Sequence, residues 1–264
     1  MLAPMPVTVR FPAVAGRFYP ASQNELGEAI DAFIAAAGGP KSPPWPKALI
    51  VPHAGYVYSG PIAGAGFARL AGAPIERVVL VGPAHRVFVT GLAWPGTTHL
   101  RTPLGDMEVD VAAIQALPEL VAHPAAHARE HSLEVELPFI QRLFPAAKVI
   151  PLVTSASSEA VGRVLEALWG GPETAIIISS DLSHYHPYAE GRAIDEHTTA
   201  KILALEDGLV GEEACGCTGI NGLVRVARRK RMRIELVDLR SSGDTAGPKA
   251  EVVGYGSFAL YEAS

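Results

Sequence analysis

Nine histidines occur in the chain, and four of them fall within a few residues of the end of a short apolar run. Ala48–Val51 leads into Pro52-His53-Ala54-Gly55-Tyr56, and Val78–Val81 leads into Gly82-Pro83-Ala84-His85-Arg86. Ala175–Ile178 leads into Ser179-Ser180-Asp181-Leu182-Ser183-His184-Tyr185-His186. A fourth run, Ile234–Val237, is followed by Asp238 and then by Asp244 in Ser241-Ser242-Gly243-Asp244. Two imidazoles and a carboxylate from separate loops can occupy one face of a divalent metal and leave the other positions open, which suits ferrous iron that takes dioxygen and substrate together. His53 and His85 are the candidate ligands, each close behind its run, with Asp244 or Asp181 as the carboxylate. His184, three residues after Asp181, is a candidate acid/base, since imidazole changes charge near neutrality. Gly55, Gly82 and Gly243 beside these residues allow tight turns. Zinc is acceptable to the same donors.

These residues need a scaffold that brings separate loops to one place. Unbroken aliphatic runs of four to six residues suit strands buried on both faces. Between them lie helical patterns over 23–37, 61–71, 111–117, 133–144, 158–169, 189–204 and 219–229. The alternation predicts an α/β sandwich with a mostly parallel central sheet flanked by helices. In such a sheet ligand sites form outside the carboxyl ends of the strands, where the histidines fall. Residues 252–261 read as a final strand that pairs with Val7–Arg10 or lies at an edge. The loosest stretch, Gly38 to Pro44, reads as a loop, so 1–264 is taken as one domain.

Other clusters are weaker. His123, His127 and His131 are spaced by four, but Pro124 and the surrounding alanines argue against a continuous helix and for an exposed, unliganded set. His131 differs, because Glu130-His131-Ser132-Leu133-Glu134 opens a helical pattern. His131 and Glu134 could there share a pocket wall, or Glu134 could be a solvated acid at a helix start. Cys215-Gly216-Cys217 is too tight for a zinc knuckle and reads as a turn or helix start, with a metal or redox role as the lesser alternative. No Gly-x-Ser-x-Gly elbow and no phosphate-binding loop is present.

Composition narrows the class. Of 264 residues 48% are hydrophobic and 19% charged, which excludes intrinsic disorder. The formal net charge of −5 speaks against a general nucleic-acid binder, and the run Arg228 to Arg233 is local enough to be a solvated helix end. The charge-free stretch 48–68 is broken by prolines and glycines and does not read as a membrane span. Residues 1–6 lack the basic start and apolar block of a secretory leader. Two cysteines give no disulfide framework and suit a reducing cytoplasm. The apolar-rich composition leaves a homodimer open.

Five segments together resemble the MEMO family, also called AmmeMemoRadiSam system protein B in prokaryotes. They are Ala15-Gly16-Arg17-Phe18-Tyr19-Pro20, Pro52-His53-Ala54-Gly55-Tyr56-Val57-Tyr58-Ser59-Gly60, Gly82-Pro83-Ala84-His85, Glu130-His131-Ser132-Leu133-Glu134 and Ser179-Ser180-Asp181-Leu182-Ser183-His184. The resemblance implies the fold of class III (LigB-type) extradiol dioxygenases, which hold iron on two histidines and a carboxylate beside a further acid/base histidine. Carried over by motif, His53 and His85 match the ligand histidines and His184 the acid/base, with Asp181 beside it. Animal members carry a cysteine where Asp244 stands here, which turns the third donor back into a carboxylate.

The first functional reading is a mononuclear non-haem iron protein with dioxygenase-like or other redox chemistry. Its metal would sit on His53, His85 and Asp244, and His184, Asp181 and His131 would serve a small, catecholic or similar substrate, with Tyr56 or Tyr185 lining the pocket. Zinc and copper are the other metals in view. The second is a binding module whose cleft holds a peptide or a partner protein, with Arg17, Arg86 and Arg240 contacting an acidic ligand, and the third is a zinc hydrolase. The family name points to AMMECR-type and radical SAM proteins as partners.

Overall fold

A computed structural model describes residues 6–39, 43–155 and 157–263. The leader reading, apart from Pro6, and residues 40–42 of the loose loop lie outside them. The chain opens with β1 (Val9–Arg10), α1 (Gln23–Ala37), β2 (Ala48–Val51), α2 (Tyr56–Ala68) and β3 (Arg77–Pro83). Short elements follow: β4 (Leu92–Trp94), β5 (His99–Thr102), β6 (Gly105–Glu108), α3 (Val111–Gln115), β7 (Leu120–Ala122), α4 (Pro124–Ala128) and α5 (Leu137–Leu143). The second half holds β8 (Lys148–Thr154), α6 (Ser158–Ala167), β9 (Thr174–Ser179), β10 (His184–His186), α7 (Tyr188–Leu203) and α8 (Cys217–Arg229). It closes with β11 (Arg233–Ser241), a 3-10 turn over Ser242–Asp244 and β12 (Val252–Tyr261).

The aliphatic runs form the middle of a mixed sheet in the order β10-β12-β2-β9-β3-β8-β4-β7, with β11 added against β12. The central strands β2, β9, β3 and β8 are parallel, and every residue of β2 and β9 is buried. This is the burial on both faces that an unbroken apolar run requires. Outside that centre β4 runs antiparallel to β8, and β12 antiparallel to β2, β10 and β11. The expectation of a mostly parallel sheet is therefore corrected to a mixed one. β12 does not pair with β1 either; it sits inside the sheet, and β1 joins β5 and β6 in a separate three-stranded sheet.

Helices cover both faces. Ile178 lies opposite Ile50 in the β2–β9 register, so Val51 points the other way. Gly66 of α2 packs on the Val51 side chain, whereas Gly219 of α8 packs on Ile178. α1 lies against α2, and α6 against α8, so two helical layers enclose the sheet. Three strand ends, those of β2, β3 and β9, point to one edge because the strands are parallel. That edge carries the candidate site. Among the described residues no helix is long and apolar enough to cross a membrane.

Candidate metal centre

His53 stands two residues beyond β2, buried to 1% exposure. Its backbone N–H donates to Asp181 Oδ1 at 2.8 Å, and its Nδ1 lies 2.7 Å from Ser179 Oγ at the end of β9. With Nδ1 protonated and donating to that hydroxyl, Nε2 is the free donor atom, and it faces Cys215 Sγ at 3.4 Å. Burial, then the neighbouring His131 and His85, push the His53 pKa well below its ordinary value, so the ring is neutral and fit to bind a metal.

His85 stands two residues beyond β3 and is held in the same way by Glu130. The carboxylate accepts the His85 backbone N–H at 2.6 Å and faces His85 Nδ1 at 2.9 Å. It also accepts the backbone N–H groups of His131 at 2.8 Å and Ser132 at 3.0 Å. Burial works against the charge, but these bonds outweigh it and hold Glu130 well below the usual carboxylate range. His131 completes a triangle of rings, with centroids 4.8 Å from His85 and 5.4 Å from His53. Burial above all pushes its pKa down to about 4.

A cavity of about 590 Å³ opens in front of these rings, lined by His53, His85, His131, Asp181, His184 and Cys215 among others. Burial pushes the Asp181 carboxyl up to about 6, against the pull of His184 and of the backbone N–H of His53. His184 opens β10 and faces the same cavity. The donor atoms of His53, His85 and Cys215 all lie within 4.8 Å of one another. The same holds for His85, Glu130 and His131, but there the Glu130 oxygens are already taken by four N–H groups, so Glu130 is a support and not a free ligand.

Cys215 is the residue for which the sequence reading set a metal or redox role second to a turn or helix start. It comes from the loop before α8 and reaches His53 because Gly216 lets that loop press onto the end of β9. A Cβ at Gly216 would lie 2.6 Å from Ser180 Cβ and 2.7 Å from the Ser179 carbonyl oxygen. The Gly216 N–H donates to Ser180 Oγ at 2.9 Å, and the Cys215 N–H donates to the Asp181 carbonyl. Burial pushes the thiol pKa up. The turn-or-helix-start reading of this motif holds for Cys217, the first residue of α8, while Cys215 lies in the cleft.

Asp244 is not brought to the histidines. Its Oδ2 accepts the Ser241 N–H at 2.8 Å and the Ser241 hydroxyl at 2.9 Å, and its Oδ1 accepts Tyr188 Oη–H at 2.6 Å. This reciprocal cap turns the carboxylate back onto its own 3-10 turn, so of the two aspartates considered it is Asp181 that shares the histidine cavity. Three further expectations are corrected. Tyr56 is buried and donates to the Val135 carbonyl at 2.8 Å, away from the cavity. Glu134 is neither pocket wall nor solvated acid: it is buried and accepts from Arg10, the Ala13 and Val14 N–H groups and Tyr19. His127 is not exposed; its Nε2 meets the Ala93 carbonyl at 2.9 Å, and His123 caps α4. Of the arginines, Arg240 pairs with Asp238, and Arg17 and Arg86 line neither this cavity nor its neighbour.

Comparison with known proteins shows what the chain is similar to. A family model described as Memo-like protein matches residues 10–259. A MEMO1 family protein of Pyrobaculum arsenaticum is 34% identical over 282 residues, covering 96% of this chain and 99% of the relative. One from Archaeoglobus fulgidus is 36% identical over 262 residues, covering 94% and 97%. One from Aquifex aeolicus is 36% identical over 267 residues, again covering 94% and 97%.

Proposed function

This chain belongs to the MEMO family, and from that premise we propose that its cleft holds one transition-metal ion and carries out metal-dependent redox chemistry on a small molecule. The observation that carries the reading is the meeting of three donors, His53 Nε2, an imidazole nitrogen of His85 and Cys215 Sγ, at the wall of a cavity. The residues fit such an ion. Ser179 and Glu130 each engage an Nδ1, which fixes the tautomer and leaves Nε2 for a metal, the outer support that metal-binding histidines commonly have. Cys215 must lose its proton on binding, so uptake releases protons.

Iron is the metal this reading prefers, and when bound it would supply one-electron chemistry and positions for dioxygen and a bidentate, catecholic or similar substrate. The rest falls to the chain. His184, across the cavity, takes a proton from a substrate hydroxyl and returns it to product. Asp181 fixes the His53 backbone, and the buried ring of His53 and the half-buried ring of His131 wall the reacting face. The Cys215 sulfur favours a second reading, a zinc site of two imidazoles and a thiolate that activates water for hydrolysis.

Anaerobic purification, metal analysis and electron paramagnetic resonance after nitric oxide addition decide between them. Near-stoichiometric iron with a nitrosyl signal, lost in His53→Ala, is the expected result. Zinc alone would move the assignment to the hydrolase, and no metal would overturn both.

A further inference from the structure

Beside the metal cleft lies a second cavity of about 430 Å³ that shares His131, Asp181, His184 and Tyr185 with it. Its other walls include the rings of Phe18, Tyr58 and Tyr255, with Glu251 also facing it. Among the described residues no lysine or arginine lines either chamber. Lys249, two residues before Glu251, is turned onto the Tyr188 ring at 4.5 Å. The carboxylates that do line them are Asp181, Glu212 and Glu251.

Tyr185 is the unusual member. It is a non-glycine residue at φ +61°, a left-handed conformation that side chains disfavour, and its side chain is 72% exposed where the two chambers join. Aromatic faces carry the negative side of the ring quadrupole, so a lining rich in aromatic residues and without a lysine or arginine favours an ammonium group over an anion. A carboxylate beside them adds to the same preference.

We propose that this second chamber binds the ammonium-bearing end of the small molecule whose other end reaches the His53–His85 centre. The placement of the other end at the metal rests on the metal-cleft reading; the ammonium site does not. It names a ligand of opposite charge to the acidic one expected of an arginine-lined cleft.

The test is a ligand-observed NMR titration with three probes of matching size and different charge: 2-phenylethylamine, 2-phenylethanol and phenylacetate. It is run on the protein as purified and again after chelation, with metal content measured each time. The amine should bind about tenfold tighter than the alcohol, with the anion weakest in the chelated sample. Tyr185→Ala and Glu251→Gln should each cut that preference severalfold at unchanged metal content. An anion that binds as tightly as the amine after chelation, no binding by any probe, or a preference that survives the double variant would overturn the proposal. Charge preference without bound metal would uphold the chamber while the metal reading fails; bound metal with no charge preference would do the reverse.

Discussion

At the scale of single residues, the centre depends on what lies behind each ligand as much as on the ligand. Ser179 holds His53 Nδ1 at 2.7 Å and stands within 2.9 Å of Glu136 Oε1. Ser179→Ala frees the ring without touching the donor atom. Metal affinity should fall by about 10–100-fold, read by competition with a chromophoric chelator, and an affinity equal to wild type would show that the hydroxyl does not orient the ring. Cys215→Ser and Asp244→Asn form a second, paired prediction. The serine should weaken metal retention by about tenfold or more, because the third donor of the cluster loses its sulfur. The asparagine should leave retention unchanged and cost only about 1 kcal/mol of cap stability, since Asp244 is committed to Ser241 and Tyr188. If the two variants exchanged roles in metal analysis, the third donor would be Asp244.

At the scale of elements, the strand before the first helix is fastened by one buried carboxylate. Glu134 receives Arg10, two backbone N–H groups and Tyr19 at once, with Arg10 itself 10% exposed. Glu134→Gln leaves the guanidinium buried without its counter-charge, which should cost roughly 3–5 kcal/mol and open residues 9–20 to limited proteolysis. Urea denaturation and cleavage mapping check both; a loss under 1 kcal/mol would mean the segment is held elsewhere. The fastening was illegible beforehand because an acid near a helix start has the same composition whether solvated or enclosed. The central strands were legible, since unbroken apolar runs such as Ile176–Ile178 have few other uses, and α1 begins and ends at the residues its pattern marked. The strands β4, β7 and β10 have three residues each, too few for a period to show, and the antiparallel pairings of β4 with β8 and of β12 with β2, β10 and β11 made the sheet mixed. His53, His85, Asp181 and His184 could be placed near one edge because each follows a strand closely. Cys215 could not: its approach is set by Gly216 packing on β9, a contact between segments 36 residues apart.

At the scale of the whole molecule, burying histidines without charge makes the fold sensitive to acid. Burial pushes His127 down to about 4, and His131 likewise, from an ordinary value of 6.5. Unfolded chains take up these protons as pH falls through 6.5, while the folded protein refuses them until about pH 4. Stability is therefore complete above pH 6.5 and is lost as pH falls towards 4, by about 1.4 kcal/mol per pH unit for each net proton. Asp181 works in the opposite sense. Its folded value of about 6 lies above the ordinary 3.8, so the folded state gains a proton first and recovers one proton's worth between those limits. His53, also held well below its ordinary value, adds to the loss, and Glu136 and Asp195, pushed up by burial, add to the recovery, so a single group has to be read by difference. His127 isolates its own share, because His127→Gln can keep a donor to the Ala93 carbonyl that Nε2 now reaches at 2.9 Å while removing the titrating group. Urea midpoints of wild type and variant should converge as pH falls from 7 to 4, the variant being spared up to about 3 kcal/mol of acid destabilisation. Metal loss at low pH affects both proteins alike and drops out of the difference. Parallel midpoints across that window would show that His127 takes up its proton within the fold.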